Sequence, residues 1–98
     1  MRRGTTQTLT FLLPEEISIE TIFITFQQNN WTVLEKSIED VEIDGKTVIV
    51  KLTQEDTLKL RAPYAVYIQL RIRDTDGNAI ASDIIRTDAE TILKDGVI

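Results

Sequence analysis

Neither cysteine nor histidine occurs among the 98 residues. Their absence excludes disulfide staples, thiolate nucleophiles, zinc sites built from thiolates and imidazoles, and imidazole acid–base chemistry. Four glycines and two prolines are too few for a collagen-like or linker-like chain. Long apolar runs are missing too, against the roughly 20 residues that a membrane-spanning helix needs. Arg2 and Arg3 lead into Gly4-Thr5-Thr6-Gln7 and not into an apolar segment, so they do not open a secretory signal. Synthesis in the cytoplasm and no membrane insertion are the expectation.

Positive charge is also short: 11 basic residues stand against 16 acidic ones, for a net charge of −5. Duplex nucleic acid and anionic bilayers are therefore poor partners, and Arg2-Arg3 alone makes no basic patch. What remains is 42% hydrophobic and 28% charged, the composition of an ordinary globular domain. The length fits one domain spanning residues 1–98, and no linker or internal repeat divides it.

The apolar residues alternate. Leu9, Phe11 and Leu13 share one face, and Pro14 ends that ladder because it has no N–H to donate. Ile22, Ile24 and Phe26 alternate with Thr21, Phe23 and Thr25, and Asn29-Asn30 offers a tight turn into a third strand at Trp31–Lys36. Asp44-Gly45 predicts a hairpin that pairs Ile43 with Lys46 and Val41 with Val48, with Val48, Val50 and Leu52 inward. The period changes over residues 53–60, where Thr53 caps one or two helical turns and Glu55 and Asp56 suit the first turn. Val66, Ile68, Leu70 and Ile72 form another inward row, and Gly77 serves a turn. Residues 79–89 hold the last strand, with either a bulge at Ile84-Ile85 or a bend between two short strands, and in the tail Glu90–Lys94 reads as strand extension or short helix that Gly96 interrupts. Six or seven short strands without alternating long helices predict an antiparallel β-sandwich with one short helical connection.

Chemistry is sparse. Glu39, Asp40, Glu42 and Asp44 cluster at a hairpin without the ligand spacing of a calcium loop, and a solvated turn explains them. Asp74, Asp76 and Asn78 come nearer that spacing but lack the later acidic ligand. Nothing fixes Asp83 and Asp88, or Glu35 and Glu39, across a substrate, and Ser82 has no histidine to activate it. Gly45 and Gly77 sit in isolated turns, not in a phosphate loop. The reading is a non-enzyme with no catalytic or metal residue and no cofactor. Asn30-Trp31-Thr32 matches the glycosylation triplet but lacks a secretory context.

Two surfaces stand out. Tyr67, Gln69, Arg71 and Arg73 alternate outward on one strand, with Arg61 just before it, and form a candidate protein interface. Trp31, Tyr64 and Tyr67 form a candidate carbohydrate contact. The bland alternatives are a solvated sheet face for the first and a covered sandwich edge for the second. Convergence of the three aromatics on one concave face favours sugar, whereas a broad sheet face or exposed edge favours assembly.

Three segments together resemble small structural proteins of Gram-positive phages and prophages, and the N-terminal domain of phage baseplate upper proteins. They are Arg3-Gly4-Thr5-Thr6-Gln7-Thr8-Leu9-Thr10-Phe11, Leu52-Thr53-Gln54-Glu55-Asp56-Thr57-Leu58-Lys59-Leu60, and Val66–Ile72 followed by Asp76-Gly77-Asn78-Ala79-Ile80-Ala81-Ser82. The resemblance implies an immunoglobulin-like sandwich serving as a non-enzymatic tail or baseplate module. Its partners would be other phage structural proteins or further copies of itself, and the chain would be incorporated into a virion. The baseplate proteins continue beyond such a domain, whereas this sequence ends at Ile98, which weakens transfer of the baseplate role itself.

Overall fold

Alternation over short stretches gives strands whose two faces differ, and two such sheets can bury their apolar faces against each other. The computed structural model describes residues 1–98. Its strands are β1 (Gln7–Leu12), β2 (Ile19–Gln28), β3 (Trp31–Ser37), β4 (Val41–Asp44), β5 (Thr47–Leu52), β6 (Ala65–Asp74), β7 (Ala79–Ala81) and β8 (Ile85–Asp88). A 3-10 turn at Ile38–Asp40 joins β3 to β4, and the helix α1 (Gln54–Leu58) joins β5 to β6. One sheet runs β1-β5-β4; the other runs β3-β2-β6-β7, with β8 also paired to β6. This order is the one in which an immunoglobulin sandwich places strands B, E and D on one side and C′, C, F and G on the other. The chain is an immunoglobulin-like antiparallel β-sandwich. No helix is long and apolar enough to cross a membrane.

Both sheets feed one core. Ile22, Ile24 and Phe26 of β2 and Val48 and Val50 of β5 are fully buried, and Val66, Ile68, Leu70 and Ile72 of β6 are nearly so. Each such side chain contributes about 1.5 to 3 kcal/mol of gross burial free energy. Leu9 and Phe11, at the edge strand β1, pack against this core only in part.

The local signals behave as their chemistry requires, with two corrections. Asn29 and Asn30 take φ values of 54° and 65°, so this pair makes the β2–β3 turn and pairs Gln28 with Trp31. In the next hairpin the turning residues are Gly45-Lys46 rather than Asp44-Gly45, and Val41 pairs with Val50 and Ile43 with Val48. Gly45, at φ 58°, occupies the first turn position, where a type II′ turn favours glycine. The displacement is two residues, so every side chain keeps its expected face. At Ile84-Ile85 the structure takes the second alternative, two short strands, β7 and β8, both on β6. The second correction concerns Glu90–Ile98: apart from an isolated parallel bridge between Glu90 and Arg2, it is neither strand nor helix.

Thr53 caps α1 as expected. Its hydroxyl accepts from the Asp56 N–H at 3.1 Å, and the Asp56 carboxylate accepts from the Thr53 N–H at 2.9 Å, a reciprocal pairing of two otherwise unsatisfied donors. The two ends of the chain meet at one edge of the sandwich. The terminal ammonium donates to the Asp88 carbonyl at 2.6 Å, and the N–H groups of Arg3 and Glu90 donate to the carbonyls of Glu90 and Met1.

Candidate recognition surfaces

The outward row of β6 lies where alternation puts it, but its four members are not equivalent. Tyr67 is 43% exposed, and Arg71 is exposed and takes part in none of the chain's ion pairs. Gln69 is half-buried and donates its amide to the Ser82 carbonyl at 2.9 Å. Arg73 is drawn to Glu20 at 3.4 Å. Phe23 of β2 pairs directly with Arg71 and is 42% exposed. Sequence alternation places Phe23 outward; only the sheet order shows that it joins Arg71 and Tyr67 on one face. An exposed aromatic beside an unpaired guanidinium is the composition that protein interfaces favour.

Trp31, Tyr64 and Tyr67 do converge. With Asn29, Asn30, Val33 and Arg61 they line an open cleft of about 830 Å³ at one end of the larger sheet. Trp31 does not cover the sandwich edge: it is 75% exposed, and Tyr64 is 63% exposed. The reason is local. The Asn29-Asn30 turn projects Trp31 outward, and Gln28, buried at 4%, ties this turn to the segment before β6. The Gln28 amide donates to the Arg61 carbonyl at 2.7 Å and accepts from the Arg61 N–H at 2.7 Å. Gln28 thus positions the cleft wall that carries Arg61 and Tyr64. A strand-terminal glutamine gives no such signal in sequence.

In each acidic cluster one carboxylate, Asp74 or Asp40, is engaged by the chain's own donors. One Asp74 oxygen accepts from the N–H groups of Asp76 (3.0 Å) and Asn78 (2.8 Å), and the other accepts from the Asn78 side chain at 3.1 Å. These bonds, the Asn78 N–H first, hold the Asp74 carboxyl below its ordinary value. Asp40 accepts from the Ser37 N–H at 2.9 Å, and Asp88 pairs with Arg86 at 3.3 Å. No three His, Cys, Asp or Glu side chains gather as a metal site.

One charged pair was not visible in the sequence. Lys36 sits opposite the buried Ile24, so it points inward, and its ammonium lies 2.9 Å from the Asp56 carboxylate. Burial pushes the Asp56 carboxyl up. The Thr53 N–H and the Lys36 ammonium outweigh this and hold it below the ordinary 3.8.

Comparison with known proteins adds little to this geometry. No family model matches the chain, and no curated protein does. Among solved structures, the V domain of amphioxus IgVJ-C2 is similar over 94% of this chain and 97% of its own, at 14% identity and a TM-score of 0.39.

Proposed function

We propose that this chain is a non-enzymatic structural module that binds other proteins through the outward face of the β3-β2-β6-β7 sheet, as a component of a phage tail or baseplate. The observation that carries the reading is the cross-strand pair Phe23–Arg71, an exposed aromatic beside an unpaired cation, with Tyr67 on the same face. Such a face gains from apolar burial at Phe23 and Tyr67, while Arg71 supplies directed bonds to a partner carboxylate. The resemblance in the opening, central and β6 segments supplies the phage context. The test is binding of the purified chain to tail and baseplate proteins encoded beside it. Arg71→Ala is expected to weaken binding by about 2 kcal/mol, near thirtyfold, where Arg71 is desolvated against a carboxylate. No binding to folded neighbouring tail proteins would reject the assignment.

A second reading has its own observation: three aromatics converge in one cleft with Asn29, Asn30 and Arg61 around them. Stacking surfaces edged by amide and guanidinium donors suit a sugar ring, whose faces are apolar and whose rim is hydroxylated. Binding of a polysaccharide that is lost in Trp31→Ala and kept in Arg71→Ala would establish this reading. The opposite pattern on a tail protein would establish the first.

A further inference from the structure

We propose that β1 is an open edge through which two copies of this chain pair into a continuous sheet. The sandwich has four strand edges, and three of them carry features that discourage pairing. β3 has one extra residue, Val33, where its pairing steps from Phe26–Leu34 to Gln27–Thr32, and it carries Glu35 and Lys36. β4 is only four residues long and carries Glu42 and Asp44. The β7–β8 edge is interrupted, and β8 carries Arg86 and Asp88. β1 differs: its six residues, Gln-Thr-Leu-Thr-Phe-Leu, include no charge, no proline and no bulge. It pairs with β5 alone, and the groups along its other side have no backbone partner in the chain.

A second observation lies across the sandwich. Ile80 and Ile85 pair with Ile72 and Ile68, so they face inward with those buried residues, yet they remain 42% and 43% exposed. The reason is that β1 ends the smaller sheet on this side. Residues 1–3, which lead into β1, bond to residues 88–90 at the end of β8 and just past it, and their backbone reaches no farther along that edge. A strand added beside β1 would extend the smaller sheet over these isoleucines.

The occupant that fits is a second β1. Pairing about a two-fold axis at Thr10 sets Leu9 opposite Phe11 of the other copy on the inward face, and Thr8 opposite Leu12 on the outward face. The inward pair lies toward Ile80 and Ile85; the outward pair shelters Leu12, which is 76% exposed. Each chain carries a net charge of −5, and β1 is the uncharged strand along which two such chains can approach. Self-pairing at β4 would instead bring Glu42 and Asp44 toward their own copies. This site lies on the opposite sheet from the Phe23–Arg71 face, so the two proposals stand or fall separately.

Sedimentation of the full chain across a concentration series tests it. The wild type is expected to form a reversible dimer, and Thr10→Lys, which sets two ammonium groups opposite each other, to raise the dissociation constant at least tenfold. Thr10→Cys gives the chain a single cysteine at the two-fold axis, where paired Cα atoms about 4.5 to 5.5 Å apart permit a disulfide. It should cross-link faster than Lys51→Cys, placed on the exposed face of β5. Circular dichroism establishes that each variant is folded, and the cysteine pair decides the question if Thr10→Lys is not. A wild type monomeric at every concentration, a folded Thr10→Lys that dimerises unchanged, a dimer abolished by Arg71→Ala, or equal cross-linking of the two cysteine variants would overturn the proposal. So would a monomer whose β1 edge takes up only a foreign strand peptide.

Discussion

Asp56 does two jobs with one carboxylate: it closes the capping pair with Thr53 and neutralises the inward-pointing Lys36. Both side chains are largely shielded, at 17% and 9% exposure, so removing one leaves the other charged and poorly solvated. Asp56→Ala is therefore expected to cost about 3 kcal/mol in urea unfolding at neutral pH. The pH dependence has a definite sign. The folded carboxyl lies below 3.8, so its contribution is complete above that value and is lost as pH falls through it toward the lower folded value. In Asp56→Asn this acid-dependent loss should shrink, which stability measured between about pH 5 and pH 2 will show. Half of this arrangement was legible: Thr53 and Asp56 stand three residues apart, the spacing of a helix cap. Lys36 was not, because only the register of β3 on β2 turns it inward.

At the scale of elements, the interruption between β7 and β8 has a simple account. Arg71 pairs with Ala81 and Ile68 with Ile85, so Ser82, Asp83 and Ile84 stand opposite Gln69 and Leu70, one residue in excess. Ser82 repairs the ladder: its N–H donates to the Leu70 carbonyl at 2.9 Å, and its hydroxyl accepts from the Leu70 N–H at 3.0 Å. Ser82→Ala removes that acceptor and should cost roughly 1 to 3 kcal/mol, seen as a lower melting temperature with faster hydrogen exchange at the Leu70 amide. The broken alternation at Ile84-Ile85 marked the irregularity, but a serine hydroxyl standing in for a backbone carbonyl leaves no pattern. The Asp44-Gly45 expectation missed for a related reason. A glycine in a hairpin marks the turn, while its position within the turn depends on which strand residues can pair.

Across the whole molecule, the rows of β2, β5 and β6 were readable because burial on one face imposes a period of two. The surfaces were readable only in part, because they join residues that meet through topology: Phe23 reaches Arg71 by the β2–β6 pairing, and Trp31 reaches Tyr64 through Gln28. The placement of Trp31 also decides what light can report about this protein. It is the chain's one tryptophan and is 75% exposed in the native fold, so its indole already meets water before unfolding. Intrinsic emission should be red-shifted in the native state and move little on denaturation, while circular dichroism records the loss of the sheets. A blue shift on adding a ligand, absent when a partner docks on the Phe23–Arg71 face, would make the same fluorophore a direct gauge of cleft occupancy.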